Sequence, residues 1–117
     1  MPDTAPHLHL RILFGQTAML GPGKARLLEL IRDHGSISAA GRAMQMSYKR
    51  AWSLVEEMNT AFREPLVTSA RGGTGGGGAQ VTGAGLTVLA HYRAIEADAL
   101  YAAQPHITAL QAMLRPE

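Results

Sequence analysis

The stretch "SAAGRAMQMSYKRAWSLVEEM", residues 38–58, constrains the fold more than any other, because it reads as two helices that cannot merge. Ser38 is placed to cap a short helix over "AAGRAMQ", with Ala40, Ala43 and Met44 at helical spacing. The residues "QMS" then interrupt. Ser47 caps a longer helix, "YKRAWSLVEEMNTAF", in which Ala51, Leu54, Val55 and Met58 fall at the i, i+3, i+4, i+7 spacing of a buried face. Two helices thus meet across a three-residue turn.

The flanking segments supply the rest of the architecture. In "HLHLRILF", residues 7–14, the side chains of Leu8, Leu10, Ile12 and Phe14 fall on one face of an extended chain, which predicts a strand. After "GPG", the segment "KARLLELIRDHG" carries Leu27, Leu30 and Ile31 on a helical stripe, with Pro22 near its start and Gly35 at its end. Pro65 stops the helix that Ser47 begins, because proline neither donates to a helix ladder nor leaves its predecessor comfortably helical. The β-prone "LVTSA", a glycine-rich loop and "AQVT" then predict an antiparallel hairpin over about residues 66–82. A helix follows over about residues 85–104, with Val88, Tyr92, Ile95 and Ala99 on one stripe. Pro105 is expected to end or kink it, leaving a short terminal helix with Ile107, Leu110 and Leu114 on its apolar side.

Composition narrows the function classes. A chain of 117 residues that is 46% hydrophobic can bury one core, so residues 1–117 are expected to form a single domain. There is no cysteine, which removes disulfides, thiolate metal sites and thiol catalysis, and suits a reducing, cytoplasmic setting. No apolar run approaches the roughly 20 residues that span a bilayer, and the first residues lack a secretory layout, so no membrane partner is expected. His7, His9, His34, His91 and His106 do not assemble a ligand set, and no nucleophile–base spacing stands out. An enzyme, a metal and a cofactor are therefore not expected. A net charge of +2 and a pI near 9.4 permit an anionic partner without requiring one.

The order strand, helix, helix, turn, helix, hairpin, helix is that of a winged helix-turn-helix, mostly α with a small β hairpin, and its third helix is the element that enters DNA. The unpaired N–H groups at that helix's start suit phosphate, and its first turns present Ser47, Tyr48, Lys49 and Arg50. The charge order runs against the macrodipole, with Lys49 and Arg50 at the positive end and Glu56 and Glu57 nearer the negative one, at a cost of about 0.3–1 kcal/mol each. Two readings fit: a helix end aimed at DNA, or a solvated face with scattered charges.

"GSISAAGRAMQMSYKRAWSLVEEMN" together with "LVTSARGGTGGGGAQVTGAG" resembles the DNA-binding domain of the ModE family of molybdate-responsive transcription regulators, and more distantly the LysR-type winged helix. The likeness covers about residues 24–92, and its most specific parts are "SYKRAW" into "EEMN" and "GGTGGGG" ahead of "VTGAG". The resemblance implies a dimeric repressor or activator of molybdenum-related genes, bound to duplex DNA. It places the DNA-reading turn on Ser47, Tyr48, Lys49 and Arg50, with Ser53 one turn on, and the wing on residues 71–78, with Arg71 and Thr74 as contacts. Full-length members of that family continue into a pair of small molybdate-binding barrels, and this sequence ends at Glu117, so a form without them is expected. Sensing would then belong to a separate molybdate-sensing protein. "TSAR" matches a piece of the barrels' motif, a coincidence on a wing strand.

The glycine loop also meets the spacing G-x-G-x-x-G at Gly73, Gly75 and Gly78. A dinucleotide site would need the third glycine to open a helix inside a parallel βαβ unit, and "AQVT" reads as a strand instead. A wing that lets backbone approach a groove, or an idle hairpin tip, are the readings left. For Trp52 two roles fit, packing under the wing or flanking the DNA backbone, and packing is the one expected because buried tryptophans are commoner. The helix over about residues 85–104 is longer than the core needs, and its surplus stripe predicts either a two-fold dimer on an inverted-repeat site or an ordinary terminal helix folded on the core. The rival to a DNA-binding regulator is a protein-interaction module on the same scaffold.

Overall fold

A computed structural model describes residues 5–70 and 78–116. The element order is β1 (Ile12–Phe14), β2 (Ala18–Leu20), α1 (Pro22–His34), α2 (Ile37–Ala43), α3 (Tyr48–Ala61), β3 (Val67–Ala70), β4 (Gly78–Val81) and α4 (Gly83–Gln111). The strands form two separate antiparallel pairs, with Leu13 opposite Met19 in the first and Thr68 opposite Gln80 in the second. This is the expected winged helix-turn-helix order, with an extra small hairpin in front.

Each helix begins and ends where local chemistry directs. Pro22 starts α1, and Gly35, left-handed at φ 69°, closes it by donating its N–H to the Ile31 carbonyl at 2.8 Å. Ser47 caps α3 by accepting from the Arg50 N–H at 3.0 Å, and Thr82 caps α4 by accepting from the Gly85 N–H at 3.0 Å. The cap of α2 departs from expectation. It is Ser36, extended and accepting from the Ala39 N–H at 3.1 Å, whereas Ser38 lies inside the helix with its hydroxyl 3.1 Å from that of Ser36. Gly35 turns the chain out of α1, so the first serine after it is the one free to adopt the capping conformation.

Two further expectations are corrected. Of residues 7–14 only Ile12–Phe14 join a ladder, and their partner is Ala18–Leu20, reached through Gly15 at φ 69°. The alternation survives in burial as far as Ile12, since Leu8, Leu10 and Ile12 are half-buried while His9, Arg11 and Leu13 are exposed, but Phe14, expected on the same face, is exposed. The second correction concerns Pro105, which neither ends nor separates the last helix: α4 runs through it to Gln111 as one element of 29 residues. Tyr101 and Pro105 are both exposed, so the carbonyl that proline leaves without a donor faces no packed neighbour.

The core lies where α1, α2 and α3 meet the second hairpin and the first half of α4. Leu27, Leu28 and Ile31 from α1, Val55 and Met58 from α3, and Leu66 are its largest fully buried aliphatic side chains. Tyr92 joins them from α4 and donates its hydroxyl to the Leu10 carbonyl at 2.5 Å, which fastens the N-terminal segment to the last helix. Burial pushes the Tyr92 phenol above its ordinary pKa. Gly41 is needed at the α2–α3 corner, because a Cβ there would stand 3.0 Å from the Ala51 Cβ. On the opposite face of α1, Glu29 takes a forked pair from Arg93 of α4, at 3.2 and 2.7 Å, and Arg93 also reaches Glu96 at 2.7 Å. The Arg93 guanidinium holds the Glu29 carboxyl below the usual carboxylate range.

Among the described residues one charge is buried. Lys24, 5% exposed, donates to the Met19 carbonyl at 3.0 Å and pairs with Glu57 at 3.0 Å, tying α1, β2 and α3 together. No described helix is long and apolar enough to cross a membrane, and no group of three or more His, Asp or Glu side chains among the described residues could hold a metal ion.

Candidate nucleic-acid interface

The turn before α3 is tight and specific. Met44, Gln45 and Met46 donate their N–H groups back to carbonyls of α2, and Gln45 takes the left-handed region at φ 58°. The chain therefore leaves α2, reverses, and delivers Ser47 in an extended conformation that starts α3. That geometry puts the first turn of α3 on the outside.

Ser47, Tyr48, Lys49, Arg50 and Ser53 are all exposed around the start of α3. Tyr48 is 56% exposed. Among the described residues no carboxylate lies within ion-pairing distance of Lys49 or Arg50, nor of Arg42 in the last turn of α2. By contrast Lys24, Arg26, Arg32 and Arg93, all on α1 and α4, are each held by a carboxylate. The helix-turn-helix thus keeps its cations free while the supporting helices neutralise theirs. Arg42 is an addition to the residues expected from sequence, and its signal is a basic residue in the last turn of α2, just before the turn into α3.

Trp52 departs from the expected packing role. It is 37% exposed, its ring meets that of Tyr48 edge to face with centroids 6.4 Å apart, and its indole N–H donates to the Tyr48 hydroxyl. Two depressions flank it. One is an open groove of about 760 Å³ between α3 and the first hairpin, where Lys49, Ser53 and Glu56 face Thr17 and Ala18. The other is a narrower cleft of about 310 Å³ between α3 and the second hairpin, lined by Ser38, Tyr48, Thr68 and Ser69. The outer face of α3 is therefore a ridge bounded on each side by a β hairpin.

The second hairpin is positioned from α3 itself. Asn59 donates to the Val67 carbonyl at 2.9 Å and accepts from the Leu66 and Val67 N–H groups at 2.8 and 3.1 Å. On its other side, the Ala79 N–H donates to the Gly35 carbonyl at 2.9 Å. Arg71 and Thr74, the expected wing contacts, lie outside the described residues. The opposed charges on α3 acquire a more particular explanation: Glu57 is placed by the buried Lys24, and only Glu56 stands as a solvated acid on that face.

No protein-family model matches the chain. It is 49% identical over 80 residues to the molybdenum-pterin-binding protein MopB of Rhodobacter capsulatus, a match that covers 68% of this chain and 30% of MopB. It is 37% identical over 83 residues to the DNA-binding transcriptional dual regulator ModE of Escherichia coli K12, covering 71% of this chain and 32% of that protein. The chain thus spans about a third of the length of the curated relatives it matches. In fold it is similar to the protein in a crystal structure of the CbnR DBD–DNA complex, with a TM-score of 0.57 and 17% identity over 75% of this chain and 95% of that one. The sequence likeness and the fold agree: over about two thirds of its length the chain is a relative of the ModE and Mop proteins, and its fold is a winged helix-turn-helix.

Proposed function

We propose that this chain binds duplex DNA in a sequence-specific way as a transcription regulator, with α3 in the major groove and the second hairpin as a wing beside it. The observation that carries this reading is the set of unpaired cations, Arg42, Lys49 and Arg50, on the exposed corner of the helix-turn-helix. A protein that neutralises phosphates releases condensed counterions, and cations not already held by carboxylates are the ones able to do so. Ser47, Tyr48 and Ser53 add hydroxyls to the same surface, and Arg71 and Thr74 of the wing are proposed from the sequence pattern alone. The names of the relatives support molybdenum-related genes as targets.

The test is fluorescence anisotropy on promoter-derived duplexes at two salt concentrations, with and without molybdate. The wild-type chain should bind and weaken steeply with salt. Lys49→Ala with Arg50→Ala should lower affinity at least about tenfold and reduce the log–log salt slope by about 1 for each phosphate no longer neutralised. No binding at low salt would replace this reading with that of a protein-interaction module.

We further propose that the chain acts as a two-fold dimer through α4. Only Gly85, Leu89 and Tyr92 of that helix are buried, yet the same stripe continues through Ala99, Ala103 and Ile107 to Leu110 and, just past the helix end, Leu114, which are 63% and 71% exposed. At about 1.5 Å per residue this helix is about 43 Å long, and it accounts for the extended shape of 54 × 34 × 22 Å. A symmetric pairing of the stripe would set two recognition helices about 34 Å apart and favour an inverted repeat. Light scattering at micromolar concentration should give twice the chain mass, and Leu110→Glu with Leu114→Glu should give one. A wild-type monomer under those conditions would remove the palindrome from the proposal.

A further inference from the structure

Trp52 stands one turn beyond Tyr48 on the outer ridge of α3, and its indole N–H is committed to the Tyr48 hydroxyl oxygen. A tyrosine hydroxyl can accept at its oxygen and has one hydrogen to donate. With an indole N–H filling an accepting position, that hydrogen is directed away from Trp52, so Tyr48 faces outward as a donor. Tyr48 is the first residue of α3, where the helix dipole is positive, and it is followed by the unpaired Lys49 and Arg50. An acceptor bearing negative charge suits that place.

We propose that Trp52 is a positioning residue that holds Tyr48 as a hydroxyl donor to a phosphate oxygen of the bound duplex. This rests on the DNA-binding reading above and deepens it. The indole N–H, the one polar group of that side chain, is already spent on Tyr48, and the ring lines both the groove beside Thr17 and the cleft beside Ser69. Its effect on binding therefore passes through the tyrosine. The interaction is with the backbone of the DNA and carries no sequence preference of its own.

The test has one arm on the free protein and one on the complex, both with the full chain. Trp52 is the one tryptophan, so its indole N–H gives a single resonance that needs no assignment by elimination. In Tyr48→Phe that resonance should move and exchange faster with water, and an unchanged resonance overturns the bond. On duplex DNA, Tyr48→Phe should weaken binding about fivefold, the usual worth of one hydrogen bond. Trp52→Phe, which keeps a ring against Tyr48 but removes the N–H, should lose a similar factor in the wild-type background and less than about twofold when Tyr48→Phe is already present. The loss should be the same on a scrambled duplex. An unchanged affinity for Trp52→Phe shows a packing role only, equal losses in both backgrounds show that tryptophan touches the DNA directly, and a loss confined to the preferred sequence shows base reading. Each overturns the proposal. If the wild-type chain binds no duplex at all, the DNA reading fails and the phosphate with it, while the free-protein arm still reports whether Trp52 holds the hydroxyl.

Discussion

Gly85→Ala is expected to destabilise the fold by about 2 kcal/mol, although alanine is the better helix former. Gly85 lies in the first turn of α4 and is buried, and a Cβ there would stand 2.4 Å from the Leu66 carbonyl oxygen and 2.6 Å from the Val81 Cγ1. The valine methyl can turn away, but the carbonyl belongs to backbone. That carbonyl also accepts the Thr82 N–H at 2.9 Å, and the adjoining amides are gripped by Asn59, so it cannot retreat without breaking hydrogen bonds on both sides. Overpacking of this kind costs about 1–3 kcal/mol, against a gain in helix propensity of at most about 1 kcal/mol. Gly83→Ala is the matched control, since it lies two residues earlier and its Cβ would meet nothing within 4 Å. There the propensity gain should show alone, at about 0.5 kcal/mol. Urea unfolding followed by circular dichroism measures both. Equal stability of Gly85→Ala and the wild type would mean that α4 does not sit on the second hairpin as closely as described.

The same close approach shows what the sequence could and could not reveal. The caps of α1 and α3 are legible because a cap is chemistry between residues three or four apart: Gly35 on Ile31, Ser47 on Arg50. The cap of α2 is ambiguous because two serines precede one short helix, and the choice of Ser36 over Ser38 depends on where Gly35 ends the previous element. The run of α4 through Pro105 is hidden for a different reason. Proline takes one donor from the helix ladder wherever it stands, but around Tyr101 and Pro105 the helix is exposed, so water can reach the freed carbonyl, and exposure is not read from the sequence. The first hairpin is half legible: the run "HLHLRILF" places apolar residues at every second position, whereas "AML" has no such run around it to announce it as the partner.

At the candidate interface the exposure of Ser47, Tyr48, Lys49, Arg50 and Ser53 follows from their place at the start of α3, where all five are exposed. What no local pattern contains is pairing between distant residues. The salt bridge from Lys24 fixes Glu57, so one of the two acids set against the basic start of α3 is explained by a buried partner on α1. The Tyr48–Trp52 bond is local in sequence, yet tryptophan's size favours the interior when residue type alone is considered, and only the outward ridge of α3 reverses it.

Asn59→Ala is expected to cost more than Gly85→Ala, about 3 kcal/mol, because it strips hydrogen bonds from buried backbone rather than straining a contact. The side chain of Asn59 satisfies the N–H groups of Leu66 and Val67 and the carbonyl of Val67, all in the chain that crosses from the end of α3 into the wing strand. Leu66 and Val67 are buried, so no water replaces the missing partners at equal worth. Leucine at position 59 would restore volume without restoring any donor or acceptor, and should be no better than alanine. Aspartate keeps the acceptor for both amides but turns a carboxylate oxygen toward the Val67 carbonyl, and should fall between alanine and the wild type. The readout is urea unfolding together with hydrogen exchange at the Leu66 and Val67 amides, which should lose protection in Asn59→Ala before the core of α1 does. Unaltered protection, with a stability loss under about 0.5 kcal/mol, would rule the clamp out. Asn59 and Gly85 both act on the segment at Leu66, so the double variant should lose less than the sum of the two singles. That shortfall carries the functional consequence. If α3 is the helix that enters DNA, Asn59 is what makes the wing follow it as one rigid unit, and a variant that loosens the clamp should weaken duplex binding even at denaturant-free stability sufficient to keep the chain folded.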